Sequence, residues 1–160
     1  MKKCSTLFLK AVVILFGTLV LAFCVLVLPK FAGFYAEWLP QVKYLAYPIM
    51  FFFYATTLPF FFALYQTLLL LSYIDKDKAF SDLSVKALKN IKCAAFTFTS
   101  LYVVGMPLFY ITADLDDAPG IMVIGLIILF AASVVTVFAA ILQMLLTNAI
   151  EIKSENDLTI

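Results

Sequence analysis

Four long apolar runs, at residues 7–28, 44–73, 93–113 and 121–150, leave this chain few ways to fold. Each run is long enough to cross a bilayer, because about 20 helical residues span a hydrocarbon core about 30 Å thick. Backbone amides in lipid have to be hydrogen-bonded within their own segment or in a closed barrel. The runs are continuously apolar and do not alternate as barrel strands do, so they predict four transmembrane helices.

Charged residues are scarce: they make up 13% of the chain, and 65% of the residues are hydrophobic, which is outside the range of soluble domains. We expect an all-α fold, an integral membrane four-helix bundle forming a single domain over residues 1–160. The first run follows two lysines, as in a signal peptide, but its length and the lack of a small-residue cleavage pattern favour a retained helix. Lys10, near its start, is expected to reach the interface by snorkelling.

The distribution of lysines predicts the orientation, because lysine is retained on the cytoplasmic side of a membrane. Nine lysines lie in the N-terminal segment, the middle loop and the C-terminal tail, whereas Lys30 and Lys43 lie in the first loop. We therefore expect a multi-pass cell-membrane protein with both termini and the middle loop in the cytoplasm. The third loop, residues 114–120, has three acids and no lysine, which fits an external turn.

The middle loop, YIDKDKAFSDLSVKALKNIK at residues 73–92, is the one long polar stretch of the chain. Ser81 is a plausible helix N-cap, and Leu83, Ala87 and Leu88 follow at helical spacing. These features predict a short amphipathic helix at the cytoplasmic interface, between the second and third spanning helices. Two interpretations remain open: an elbow whose lysines meet the headgroups of the lipid bilayer, and a docking surface for a cytosolic partner.

The C-terminal tail, EIKSENDLTI, follows the fourth run directly and ends in the apolar residues Leu158 and Ile160. It is interpreted either as a frayed end or as an acidic segment that pairs with a basic surface, in the middle loop or in a DNA-binding partner. The candidate partner or lipid contacts of the chain are Lys76, Lys78, Lys86, Lys89, Lys92, Glu151, Glu155 and Asp157.

The middle loop, the apolar segment YPIMFFFYATTLPFFFALYQTLLLL before it and the ending AIEIKSENDLTI together resemble the family called domain of unknown function 2975. The likeness covers nearly the whole chain and is most specific at residues 74–92 and 151–160. It implies a small bacterial four-helix membrane protein without an established activity. Because similar proteins are often encoded beside a short helix-turn-helix regulator, the resemblance also implies a cytoplasmic DNA-binding regulator as partner.

An enzyme is not expected, because the chain has no histidine and no arginine, the usual general base and the usual phosphate-binding fork. Nucleotide-binding and metalloprotease motifs are absent from the sequence. Cys4, Cys24 and Cys93 form no CxxC pair, and the last two are expected to be buried. The sequence therefore predicts no cofactor, no metal site and no direct nucleic-acid binding.

The function that we expect is regulatory or scaffolding, and a small-solute transporter or immunity-type membrane protein is the alternative. Because no acid or base lies deep in the apolar runs, proton or ion coupling is not expected. A ridge of small residues in the fourth run permits close helix packing or a homo-oligomer, and it consists of Ala132, Thr136 and Ala140. Four aromatic residues near the first loop are expected at headgroup level: Tyr35, Trp38, Tyr44 and Tyr47.

Overall fold

The computed structural model describes residues 2–158, and within them the chain is helical with no strand. This confirms the predicted all-α membrane fold. A 3₁₀ helix, Pro40–Leu45, lies between α2 and α3. The α-helices are α1 (Lys2–Leu26), α2 (Leu28–Trp38), α3 (Ala46–Asp75), α4 (Asp82–Leu115) and α5 (Pro119–Leu158).

Four helical segments are long and apolar enough to cross a membrane: Lys3–Leu26, Pro40–Asp75, Asp82–Leu115 and Pro119–Leu158. They correspond to the four predicted runs, and each extends further into polar sequence at one or both ends. α5 is the longest, with 40 residues. At a rise of 1.5 Å per residue it measures about 60 Å, about twice the thickness of the hydrocarbon core. Part of α5 therefore lies outside the hydrocarbon.

The spanning helices pack mainly in the order α1, α3, α4, α5. α4 lies between α3 and α5 and has its most extensive contacts with α5, whereas α1 packs on α3. The short turn after α4 makes α4 and α5 an antiparallel hairpin, and the turn after α3 does the same for α3 and α4. As a result, the start of α1, the end of α3, the start of α4 and the end of α5 lie at one end of the molecule.

Close approach of α3 and α4 depends on a glycine. The ring of Phe52 in α3 packs directly over Gly105 in α4, where any β-carbon would overlap the ring. The same ring is surrounded by aromatic neighbours, with centroid distances of 5.1 Å to Tyr102 and 6.0 Å to Phe109. Small residues that admit a neighbouring side chain are typical of helix contacts in membranes, where lipid tails compete with every apolar contact.

The small-residue ridge of α5 is half-buried within the chain itself. Thr136, at its centre, lies 3.5 Å from Thr99 of α4, measured between the two hydroxyl oxygens. One use of the ridge is therefore the packing of α5 on α4. Self-association through Ala132 and Ala140 stays a prediction.

The first loop contains structure that the sequence analysis did not predict. α2 packs on α3, and Tyr35 of α2 is only 1% exposed, with its hydroxyl 3.0 Å from that of Thr112 in α4. The expectation that Tyr35 anchors at headgroup level is therefore wrong, because the ring belongs to an apolar cluster with Leu39 and Ile49. The other three aromatic residues of that prediction, Trp38, Tyr44 and Tyr47, are exposed.

The predicted amphipathic segment was expected to run into the third spanning helix, and residues 82–92 are the first turns of α4. Ser81 occupies the N-cap position with an extended backbone, but its side chain does not cap the helix. Ala87 and Leu88 are buried as expected, whereas Leu83 is 47% exposed. The placement of this segment at a membrane interface stays a prediction.

We predict that Gly105→Ala destabilises the protein, because the added methyl group has to displace a ring that is itself packed among other rings. Overpacking of this kind costs about 1–3 kcal/mol. The thermal unfolding midpoint in detergent should therefore fall. Gly33→Ala in α2 is the matched control, since no atom lies within 4 Å of its added β-carbon. Equal midpoints for the two variants would show that the contact between α3 and α4 does not limit stability.

Candidate functional site at the lysine-rich end

The predicted contact residues lie at one end of the molecule, which we call the lysine-rich end and define as residues 2–10, 73–92 and 151–158. This follows from the antiparallel packing of α3, α4 and α5. The charged residues brought to this end include all the predicted contacts: Lys76, Lys78, Lys86, Lys89, Lys92, Glu151, Glu155 and Asp157. Their role as contacts stays a prediction.

The turn between α3 and α4 has a defined hydrogen-bonded geometry. The amide of Lys78 donates to the carbonyl of Tyr73 over 2.7 Å, and Asp77 has a left-handed backbone with φ of 58°, as in a Schellman helix end. The carbonyl of Lys78 then accepts hydrogen bonds from the hydroxyls of Ser81 (2.5 Å) and Ser84 (2.9 Å). Ser84 is completely buried. The turn therefore presents its lysines from a fixed backbone.

The lysines of this end differ in their surroundings. Lys92 is half-buried, whereas the other four predicted contact lysines are exposed. Lys86 lines a recess between α3 and α4, and Lys89, one turn further along the same helix, does not. The lysines of the lysine-rich end therefore do not form one uniform basic surface.

An ion pair that the sequence analysis missed joins α1 to α3. Lys10 Nζ lies 2.6 Å from Asp75 Oδ2, and the hydroxyl of Thr6 donates a hydrogen bond to the other oxygen of the same carboxylate. Lys10 was expected to snorkel toward lipid headgroups, and it instead reaches a carboxylate of its own chain. The sequence did contain a signal for this ion pair. Lys10 lies near the start of the first run and Asp75 follows the end of the second run, and these two ends were predicted to lie on the same side of the membrane.

The recess beside Lys86 is lined by both polar and apolar side chains and has a volume of about 290 Å³. Gln66 of α3 lies in its wall and is 8% exposed, and the sequence analysis did not single it out. Within residues 2–158, the side-chain amide of Gln66 has no hydrogen-bonding partner. The complete lining is Gln66, Leu69, Tyr73, Leu83, Lys86, Ala87 and Asn90.

A second, apolar groove lies between the turn and α5. Its volume is about 420 Å³, and Phe80 of the turn lies in its wall with 57% of its surface exposed. The groove is lined by Leu70, Ile74, Ala79, Phe80, Leu88, Leu142, Leu145, Leu146 and Ala149. It provides a large apolar surface next to the exposed lysines of the turn.

The tail continues α5 as a helix through Leu158, and residues 151–158 are all exposed. Residues of α4 and α5 equally far from their connecting turn lie at the same level, as the contact between Thr99 and Thr136 shows. By this measure Asp82, the first residue of α4, is level with about residue 152. The last turns of α5 therefore project beyond the start of α4. Ile160, the final predicted apolar anchor, lies outside the described residues.

Two further cavities lie away from the lysine-rich end. One, of about 200 Å³, lies beneath α2 and is lined by aromatic rings and by Tyr35 and Thr112, which bond to each other. The other, of about 270 Å³, lies between α1 and α3 near Cys24, which is buried as predicted. Cys93 was also expected to be buried, and this is wrong, because its side chain is exposed on α4. Neither cavity is lined by a charged side chain.

Comparison with known proteins agrees with the membrane fold. The sequence model of a family described as "Protein of unknown function (DUF2975)" matches residues 30–160. The "Uncharacterized membrane protein YoaS" of Bacillus subtilis (strain 168) is 56% identical over 160 residues, which cover the whole of both chains. No solved structure matches the chain. The similarity therefore extends through both the lysine-rich end and the apolar helices.

We predict that Asp75→Asn lowers the thermal unfolding midpoint, because it leaves the Lys10 ammonium without its counter-charge while keeping the shape of the side chain. Asp77→Asn is the matched control, since it removes a carboxylate two residues away and asparagine tolerates the left-handed backbone there. Combining Lys10→Met with Asp75→Asn should cost less than the sum of the two single changes. Additive effects would show that the two side chains contribute independently.

Proposed function

Because the chain belongs to the DUF2975 family, we propose a role argued from its own residues. The chain is a non-enzymatic, regulatory or scaffolding membrane protein that engages a cytoplasmic partner through its lysine-rich end. The observation that carries this proposal is the shared location of the turn that bears Lys76 and Lys78 and the acidic end of α5. Both are exposed, and the apolar groove with Phe80 lies between them.

The combination of charge and apolar surface favours a protein partner. Lys76 and Lys78 provide positive charge on a fixed turn, and Glu151 and Asp157 provide negative charge on a projecting helix. Charges of both signs select and orient a partner, and burial of Phe80 in its interface would add affinity. Direct binding to nucleic acid is disfavoured, because the acids at the end of α5 would repel a phosphate backbone.

The orientation supports a partner in the cytoplasm. Lysines are concentrated at the lysine-rich end, whereas Lys30 and Lys43 lie toward the opposite end with the acidic turn after α4. Under the positive-inside rule both termini are then cytoplasmic. The family resemblance suggests a helix-turn-helix regulator as the partner, and the basic surface of such a protein suits the acidic end of α5.

A transport function is less well supported than the docking function, because the cavities between the spanning helices offer few free polar groups. The cavity near Cys24 includes the hydroxyls of Thr56 and Thr57, and both already donate to the carbonyl of Phe53. A polar solute would find few unpaired groups there. The polar groups of the recess beside Lys86 lie instead at the lysine-rich end, which favours a role at that surface.

We predict that single cysteines at Lys78 and Ala118, in a background without the native cysteines, are labelled from opposite sides of the membrane. Both positions are in turns, at opposite ends of α4. A membrane-impermeant thiol reagent applied to intact cells should label position 118, and position 78 should react only after the cells are opened. Labelling of position 78 in intact cells would contradict the proposed orientation.

We also predict that Lys76→Glu with Lys78→Glu reduces binding of the regulator, because it reverses the charge of the exposed turn without touching the helix contacts. The measurement is co-purification of a helix-turn-helix regulator encoded beside the gene, co-expressed with the tagged chain in membranes.

Deletion of residues 154–160 should reduce the same signal while leaving membrane insertion intact, because residues 154–158 are exposed.

The matched control is Lys30→Glu with Lys43→Glu, which changes the same amount of charge on two exposed lysines toward the other end. This variant should retain the regulator. Equal loss in both double variants would attribute the effect to total charge. Full retention in both the turn variant and the truncated chain would refute the docking proposal.

A further inference from the structure

Gln66 of α3 is an unusual polar side chain next to the lysine-rich end. Only 8% of its surface is exposed, and its amide bonds to nothing within residues 2–158. Among the described residues, no fully buried side-chain nitrogen or oxygen lacks a partner, so the amide of Gln66 is open to the space beside it. Its side chain lines the recess between α3 and α4, so a molecule in that recess can form hydrogen bonds with it.

The other polar groups of the recess select the charge of that molecule. Lys86 provides an ammonium group, Asn90 and Gln66 provide amide N–H groups, and Tyr73 provides a hydroxyl. None of the four has a side-chain hydrogen bond or ion pair within the described part of the chain, and no acid lines the recess. A positive charge surrounded by hydrogen-bond donors fits an anion with several acceptor oxygens, such as a phosphate.

The position of the recess indicates where the phosphate comes from. Lys86 is about 43 Å along α4 from Leu115, close to the full thickness of about 40–45 Å for a bilayer with its headgroups. The recess is therefore at headgroup level when the turn after α4 is at the opposite surface. Leu69 and Leu83 stand beside its polar groups, and Leu83 is 47% exposed. Such apolar side chains can pack against the glycerol and acyl portion of a lipid. They make no favourable contact with free phosphate.

We propose that the recess lined by Gln66, Lys86 and Asn90 binds the phosphate headgroup of an anionic phospholipid. Lys86 neutralises the phosphate, and the amides of Gln66 and Asn90 donate to its oxygens. This assigns Lys86 to a lipid site on the α3–α4 face, while the exposed lysines of the turn remain available to a partner. The site does not rest on the proposed docking function, because it uses neither the turn lysines nor the acidic end of α5.

The test measures binding of phosphatidylglycerol by native mass spectrometry to the full chain, purified in detergent with phosphatidylcholine as the reference lipid. Lys86→Gln and Gln66→Leu should each weaken binding of the first phosphatidylglycerol about tenfold. Lys89→Gln is the matched control, because it removes an exposed lysine one turn away that does not line the recess. It should bind as the unmodified chain does. Equal binding by Lys86→Gln and Lys89→Gln would overturn the proposal.

Two further readouts separate a lipid site from a loss of folding and from a site for soluble phosphate. Gln66→Leu should unfold at the same temperature as the unmodified chain or higher, because it removes no hydrogen bond within residues 2–158 and replaces the amide with an apolar group of similar size. Inorganic phosphate and glycerol 3-phosphate, added at millimolar concentration, should not displace the lipid. Displacement by either anion would assign the recess to a soluble phosphate and overturn a lipid site. The double variant Lys76→Glu and Lys78→Glu should still bind the lipid while it loses the regulator. That result would show that the lipid site and the docking surface are distinct.

Discussion

The contact of the Phe52 ring with Gly105 is the constraint on which the arrangement of the helices depends. Lipid tails are as apolar as the side chains of the helices, so shape and close approach have to hold α3 and α4 together. α4 carries α5 on its other side, and α1 joins through α3. The α3–α4 contact therefore connects the two ends of the row. The recess lined by Gln66 lies between the same two helices.

The sequence predicted the spanning helices well, because hydrophobicity summed over about 20 residues is a strong signal. It failed at α2, a short segment with a proline and a glycine whose stability comes from tertiary contacts. Tyr35 is buried in a cluster with Leu39 and Ile49, and its hydroxyl bonds to Thr112, which is 77 residues away in the sequence. The helical end of α5 was also missed, since a polar tail after a span can be either helical or frayed. Local pattern does not decide such cases.

The lysine-rich end shows a similar limit. Composition identified the segment with the charges, but it did not distinguish Lys86 from Lys89, which are three residues apart on one helix. The packing of α3 on α4 distinguishes them, because Lys86 lines the recess between these helices and Lys89 does not. Asp75 was overlooked for the same reason, as its partner Lys10 is 65 residues away. A pair of charges separated in sequence becomes visible only when the neighbouring helices are known.

The ion pair between Lys10 and Asp75 has a consequence for the order of events during synthesis. α1 leaves the ribosome first, with Lys10 in its first turns. Its partner carboxylate is made only at the end of α3, after two segments have entered the bilayer. Lys10 therefore has no carboxylate partner from α3 while α1 is being made, and it becomes an anchor for α1 later. The end of α5 reaches the same side of the protein later still, so the ion pair between α1 and α3 can form before that end of the molecule is complete.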